Sequence, residues 1–556
     1  MVNPVILFNI FLGVFMKDHR PHIIIFNPDE MRADALHHLG NMASHTPNMD
    51  ALTQDGVSFR NAYCQNPVCT PSRCSFMSGW YPHVHGHRTI SYMMHKEEPV
   101  LLRDLKDEGY YVWINGRNDL IPAAGNRPFK TYASKVCNPK SVRMPEGRQP
   151  RGELGSENFY SQYRGIIETE NGEDVYDMDA AWVQGAIDCI RHRPKDKPLC
   201  LFLPVMYPHT PYQTVKKYYD MIDPAKMPAR IKTPGDLSLK PSMIRGLIER
   251  QGLQGWDEDR WTELRRVYLA MCARVDDQLG QVIAALKEEG MYDDSAIFVL
   301  SDHGDFTGDY GISEKNQNTF EDCLTNVPFI IKPPKSMAVK PGISDALVEL
   351  VDFYATVEDI TGMKPTHTHF GKSLRAVLSG VAPEHRDAVF CEGGRLKQEL
   401  QCNESSHYPS LIEEVNEYYP RISLQTSQGP EHTKATMIRN KDFKYVKRLY
   451  EKDELYDLKT DKENLRNLID DPAYTGVILD LKERMLTWLQ ETADAVPFEA
   501  DERYPKEYIL AMVKGSMPWG VYMFAKILLT CGYTVADLLK IGQDMEARRK
   551  QKHKHE

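Results

Sequence analysis

The strongest constraint on the fold of this 556-residue chain is an alternation of two patterns. Short apolar runs of strand length are separated by stretches of helical periodicity. His22–Phe26 carries isoleucine at 23, 24 and 25, and Tyr110–Ile114, Leu199–Pro204, Ala296–Leu300 and Val327–Ile331 repeat the run. Val100–Glu108 reads as a helix closed by Gly109. Trp261–Glu289 places Leu264, Val267, Met271, Val275, Leu279, Val282 and Leu286 on one helical face and stops at Gly290. Such alternation predicts an α/β fold with a doubly wound, mostly parallel sheet.

After about residue 385 the texture changes. Thr436–Arg448 alternates apolar and polar residues and Glu454–Asp457 follows as a further strand, which suits a smaller antiparallel α+β subdomain. The organisation predicted is an α/β domain over 16–384, the subdomain over 385–495, and a helical extension with a charged tail over 496–556. Residues 1–15 read as a dispensable extension. Their apolar stretch has no preceding Lys or Arg and no cleavage site, so a secretion signal is the less favoured alternative. A dozen apolar residues are also too few for a stable membrane span.

Composition narrows the function classes. Aromatic residues at 10%, with 35 Gly and 35 Pro, exclude disordered and collagen-like chains. Lys+Arg 68 against Asp+Glu 78 gives a net charge of −10, which argues against a broad nucleic-acid footprint. The 11 cysteines contain no C-x-x-C pair and no disulfide framework, which suggests a reducing, cytoplasmic setting over a periplasmic or secreted one.

Ligands of open parallel sheets bind beyond the carboxyl ends of the strands. Polar clusters stand at those ends here. Asn27-Pro28-Asp29-Glu30 follows the first strand and Gly116-Arg117-Asn118-Asp119 the next. Pro208-His209-Thr210-Pro211-Tyr212 and Ser301-Asp302-His303-Gly304-Asp305 follow the two after that. One such cluster is ordinarily a helix cap; four on one sheet edge are better explained as a site. Asp29, Asp302 and His303 suit a divalent cation. In Cys69-Thr70-Pro71-Ser72-Arg73, Pro71 suits a first helical turn, which puts Cys69 where backbone N–H groups and the helix dipole favour an anion. Cys64 and Cys74 read as packing residues, and Asp305 and Asp309 as turn formers.

These residues carry a resemblance. Cys69-x-Pro71-Ser72-Arg73 followed by Met77-Ser78-Gly79 resembles the type I sulfatase signature, whose cysteine is oxidised to formylglycine, within the alkaline phosphatase-like superfamily. His22–Arg32, Thr46–Phe59, Pro208–Tyr212, Ser301–Gly311 with Lys315, and Glu454–Leu458 resemble further family segments in the family's order, from about residue 20 to 490. The resemblance implies a sulfuric ester hydrolase acting on a small-molecule or saccharide sulfate ester, matured by a formylglycine-generating enzyme. Asp29, Asp302, His303 and the modified Cys69 would hold one divalent metal, calcium first, with magnesium or manganese as alternatives. The hydrated aldehyde would attack sulfur to form a covalent sulfate ester, which collapses to release sulfate. Arg73 would support the hydrate, and His209 and Lys315 would bind sulfate and protonate the departing oxygen.

The departures from the pattern are as informative. Glu30 stands where the family commonly has a second aspartate, and either reaches the metal or sits behind its ligands. Arg117 can keep the cationic role of the usual lysine. Asp119 replaces a histidine and becomes either a base or a contact to a polar substrate. His303 replaces a common asparagine and also occurs in related phosphonate and phosphate ester hydrolases. A phosphonate monoester or phosphodiester hydrolase is therefore the first alternative, and an inactive binding protein the second. Lys135–Glu157 and Gly393–Gln428 are candidate substrate walls. The aromatic run at Trp519–Phe524 reads as helix packing, with a contact in a homo-oligomer as the alternative.

Overall fold

The computed structural model describes residues 20–122, 126–136, 142, 147, 151–169, 172–500, 503, 506–514, 518–531, 533, 537–538 and 540–545. The N-terminal extension over 1–15 and the tail Glu546–Glu556 lie outside the described residues. So do 137–141, 143–146 and 148–150 of the Lys135–Glu157 segment.

Strands β1 (His22–Pro28), β2 (Val57–Tyr63), β3 (Tyr111–Ile114), β4 (Lys135–Val136), β5 (Tyr163–Ile167), β6 (Leu199–Val205), β7 (Tyr212–Val215), β8 (Ser295–Leu300), β9 (Phe329–Lys332) and β10 (Gly342–Glu349) occupy the first part of the chain. Eight of them form one sheet in the order β10-β2-β9-β8-β1-β6-β3-β4, and β5 pairs separately with β7. The isoleucine run lies at the sheet's centre: Ile24 pairs in parallel with Leu201 of β6 and Ile297 of β8.

Alternation along β1 splits its side chains between two cores. Ile24 and Phe26 join Leu201, Leu203, Ile297 and Val299 on one face. Ile23 and Ile25 join Cys200, Phe202, Phe298 and Leu300 on the other. Helix α1 (Cys69–Ser78) packs on the second face, where Phe76 meets Phe353 edge-on at 5.9 Å. Helix α2 (Glu258–Glu288) covers the first, and all seven residues of its predicted stripe are buried there. Each such side chain contributes about 1.5–3 kcal/mol of apolar transfer.

One strand departs from the expected parallel set. β9 runs antiparallel between β8 and β2, with Val299 opposite Ile330 and Val57 opposite Ile331. The physical reason is the connection. Residues 301–328 are long enough for a crossover but hold only two short helical turns, Asp309–Gly311 and Asp322–Thr325, and no helix to carry the chain back along the sheet face, so the next strand runs antiparallel.

The smaller sheet is antiparallel throughout, in the order β11 (Val389–Gly393), β12 (Ala435–Arg439), β13 (Phe443–Arg448), β14 (Glu454–Asp457). The alternating run Thr436–Arg448 is thus two strands joined by a tight turn. Between β11 and β12 the chain makes helix α3 (Tyr419–Thr426). Helix α4 (Thr475–Thr492) closes the sheet, with Trp488 stacked on Phe390 at 4.4 Å.

Among the described residues, those up to Ala495 form one compact unit and those from Val496 a second. The second carries α5 (Trp519–Thr530), whose Trp519, Phe524 and Ile527 are exposed. This corrects the packing expected of that aromatic run: only Leu529 of α5 is buried. Among the described residues no helix is long and apolar enough to cross a membrane.

Candidate active site

Because β1 and β8 are parallel neighbours, the turns after them lie side by side at one sheet edge. The first turn supplies Asp29 and Glu30, and the second Asp302 and His303. Helix α1 begins at Cys69 against the same edge, and Ser72 Oγ donates to the Asp302 carbonyl at 2.6 Å. Asp29, Cys69, Asp302 and His303 each offer a ligand atom, all within 4.8 Å of one another and all buried.

His303 Nδ1 donates to the Gly304 carbonyl at 2.9 Å. That leaves the Nε2 lone pair facing Cys69 Sγ at 3.1 Å, the tautomer a metal ligand needs. Burial lowers the His303 pKa, so the ring stays neutral. Burial opposes the charge on Asp302, but the Arg73 guanidinium, with the Glu30 backbone N–H, outweighs it and keeps this carboxyl ionised. Burial and Asp29 push the Cys69 thiol well up. Two carboxylates, a bare imidazole nitrogen and residue 69 are a donor set that fits a divalent cation. Glu30 Oε1, a buried oxygen without a hydrogen-bond partner, lies on the turn beside it.

Arg73 and Arg117 bracket the carboxylates. Arg73 is fully buried and donates to Asp29 Oδ2 and Asp302 Oδ2, each at 2.8 Å, and to the carbonyl of Arg117. It therefore acts on the ligand carboxylates rather than directly on residue 69. Arg117 Nη1 reaches Asp29 Oδ2 at 3.0 Å, and its Nε is held by Asp119 at 2.8 Å. Asp119 thus joins the site through Arg117. Asp119 at φ 43° and Glu30 at φ 69° both occupy the left-handed region, a backbone strain that concentrates at functional sites.

Glu30 is turned from the four-residue group. Its Oε2 accepts from Lys315 Nζ at 2.9 Å and lies 3.3 Å from His209 Nε2. Asp29, Glu30 and His209 form a second ligand-like grouping, but the Lys315 ammonium already sits against it. Burial raises the Glu30 pKa well above the usual carboxylate range against the pull of Lys315. Burial also works against charge on Lys315, yet Glu30 and Glu314 hold its pKa well above the ordinary value. His209 is the reverse: burial and Lys315 press it well down. Its Nδ1 donates to the Thr210 carbonyl at 2.8 Å and its Nε2 accepts from Lys315 at 3.0 Å. The mobile proton of this pair therefore resides on Lys315.

Glycine is required where the backbone of one site loop crosses another strand end. Gly116 has φ 123°, and a Cβ there would stand 2.0 Å from the Pro204 carbonyl oxygen. Gly116→Ala is expected to cost about 1–3 kcal/mol and to displace Arg117. Denaturant unfolding together with KM checks this: a lower midpoint and a raised KM are expected, and an unchanged pair contradicts it.

All the sequence-predicted site residues converge, with Asp119 at the periphery. Asp305 binds Tyr212 and Thr307, and Asp309 binds Arg32, so both support turns as expected. Cys64 and Cys74 lie in the apolar core. Glu314, Arg421 and Glu404 were not anticipated individually. Glu314 is adjacent to Lys315 in sequence, a readable hint; Arg421 and Glu404 lie in no motif. Tyr418 precedes α3 near Lys315 and Arg117, its phenol pushed to about 12 by burial against the pull of Lys315, which brings the 393–428 segment to the site.

A doubly wound sheet with this ligand cluster beyond its carboxyl edge defines a hydrolase of the alkaline phosphatase-like class. The family model described as Sulfatase matches residues 21–363. The chain belongs to the sulfatase family, whose members generally use a formylglycine and a divalent metal. It is 25% identical over 523 residues to the multifunctional alkaline phosphatase superfamily protein PehA of Trinickia caryophylli, covering 85% of this chain and 96% of that one. It is also 25% identical to the choline-sulfatase of Rhizobium meliloti, covering 91% and 94%. The phosphonate monoester hydrolase structure from Agrobacterium radiobacter shares the fold at TM-score 0.67 and 21% identity, over 86% of this chain and 100% of that one.

Proposed function

We propose that this sulfatase hydrolyses a monoanionic organic sulfate ester of a saccharide or another alcohol at the Cys69 site. The observation carrying this is the gathering of Cys69, Asp29, Asp302 and His303 at the start of α1. When converted to formylglycine, residue 69 supplies a hydrated-aldehyde oxygen as nucleophile, and a divalent cation on Asp29, Asp302 and His303 supplies charge for the transferring group. The chain's own residues do the rest. Arg73 orients both carboxylates. Arg117 and Lys315 face the anion from two sides, and the α1 N-terminus adds its dipole. Lys315 holds the proton for the departing oxygen, and neutral His209 fixes the ammonium in place through Nε2. Proton transfer of this kind contributes typically ~10²–10⁴-fold.

Asp29 and Asp302 suit calcium first, with magnesium or manganese as the alternatives. Chelation followed by re-addition of each ion separates these: calcium should restore the most activity, and a magnesium or manganese maximum overturns that preference. Maturation requires a formylglycine-generating enzyme. The cytoplasm is the proposed setting, tested by fractionating the expressing cell; activity confined to the exported fraction overturns it.

Phosphonate monoester hydrolysis is the second reading, favoured by the histidine at 303. Sulfate and phosphonate monoesters carry one negative charge each, so Arg117 and Lys315 alone do not separate them. Relative kcat/KM on matched phenyl sulfate and phenyl phosphonate esters does. A sulfate preference is expected; a clear phosphonate preference reverses the assignment.

A further inference from the structure

Lys315 makes two aligned hydrogen bonds, to Glu30 Oε2 at 2.9 Å and to His209 Nε2 at 3.0 Å. An ammonium has three donors, so one remains for an anion. The competitor for that donor is Glu314, whose Oε1 lies 3.2 Å from Lys315 Nζ. This contact is not aligned, and Oε1 is buried without a hydrogen-bond partner. The other oxygen, Oε2, lies 3.2 Å from Arg421 Nε, a nitrogen equally buried and equally without an aligned partner.

Glu314 is thus a carboxylate shared between two cations and well bonded by neither contact. Its backbone sits at φ 66°, a conformation that persists in a glutamate only where surrounding structure imposes it. Arg421 is itself anchored: Nη1 donates to Glu404 Oε1 at 2.9 Å, and Gln317 Nε2 donates to the same oxygen. The result is a buried row of alternating acidic and basic side chains, Glu30–Lys315–Glu314–Arg421–Glu404. It runs from the turn after β1 to the 393–428 segment, and its side chains are at most 7% exposed.

We propose that Arg421 is a positioning residue that restrains Glu314, so that one donor of Lys315 stays uncommitted for the anionic group of the substrate. The inference rests on Lys315 being the anion-binding cation of the proposed function. Arg421 touches neither substrate nor residue 69. It acts by setting how strongly Glu314 competes for Lys315, which gives the segment carrying α3 a part in substrate affinity beyond that of a wall.

The opposing effects of two substitutions test this. Arg421→Met leaves Glu314 with Lys315 as its remaining cation, and KM should rise ~10–30-fold with a smaller change in kcat. Glu314→Gln removes the competitor, and KM should fall by about threefold or more. In the double variant, KM should return to within about threefold of the wild type, and Arg421→Lys should recover part of the single-variant loss. A double variant as impaired as Arg421→Met overturns the competition, because Arg421 would then act only on the fold. If Arg421→Met does not fold, Glu314→Gln alone decides, and an unchanged or raised KM overturns the proposal. Running each variant on sulfate and phosphonate esters separates this result from the choice of reaction. Lys315→Ala with an unchanged KM would instead remove the anion-binding reading itself.

Discussion

Cys69→Ala is expected to lower kcat/KM by on the order of 10³–10⁶-fold, the range seen when a covalent nucleophile is removed from an assembled site. The loss should lie in kcat. Arg117, Lys315 and the start of α1 still face the anion, so ground-state binding survives. The fold should survive as well. Cys69 is 2% exposed on a helix whose packing residues are Phe76 and Met77, and losing one sulfur atom there costs about 1 kcal/mol or less. Cys69→Ser should be nearly as inactive, since a serine hydroxyl is not a hydrated aldehyde. Steady-state kinetics with an unfolding curve for each variant makes the measurement. Turnover by Cys69→Ala within tenfold of the wild type would remove residue 69 from the chemistry.

Arg73→Met should give the largest loss of stability. Arg73 is completely buried and ion-paired at 2.8 Å to both Asp29 and Asp302. After the substitution, Asp29 retains Arg117 at 3.0 Å, but the fully buried Asp302 Oδ2 loses its guanidinium partner. Breaking a buried pair from one side costs about 3–5 kcal/mol, because the surviving charge remains desolvated. A bound dication offsets part of this, so the destabilisation should be larger with a chelator present than with excess divalent metal. Denaturant unfolding midpoints under the two conditions give the comparison. A change below about 1 kcal/mol with chelator would mean that Arg73 does not hold the carboxylates as the geometry indicates.

Much of this architecture was legible in the chain because its signals are local. The isoleucines of β1 and the apolar stripe of α2 report their burial through periodicity alone. The polar clusters after β1, β3, β6 and β8 report the site because parallel strands put their carboxyl ends on one edge. What was not legible depends on pairings across long sequence separations. The reversal of β9 follows from a connection without a crossover helix, which no property of Val327–Ile331 itself encodes. The locking of Arg73 between two carboxylates, the proton residing on Lys315 in place of His209, and the turning of Glu30 toward Lys315 all arise from side-chain geometry in a shared buried volume. Arg421 is the extreme case. It meets Glu314 across more than a hundred residues in a segment with no motif, where sequence suggested only a substrate wall.

The central claim is that the chain's chemistry resides on a residue 69 that is no longer a cysteine. Peptide mass spectrometry across residue 69, on protein co-expressed with a formylglycine-generating enzyme and assayed from the same preparation, tests it most directly. The account predicts a peptide with the mass of an aldehyde at position 69, in a fraction that rises in proportion to the turnover number. A fully active preparation whose peptide carries only an unmodified thiol would contradict it.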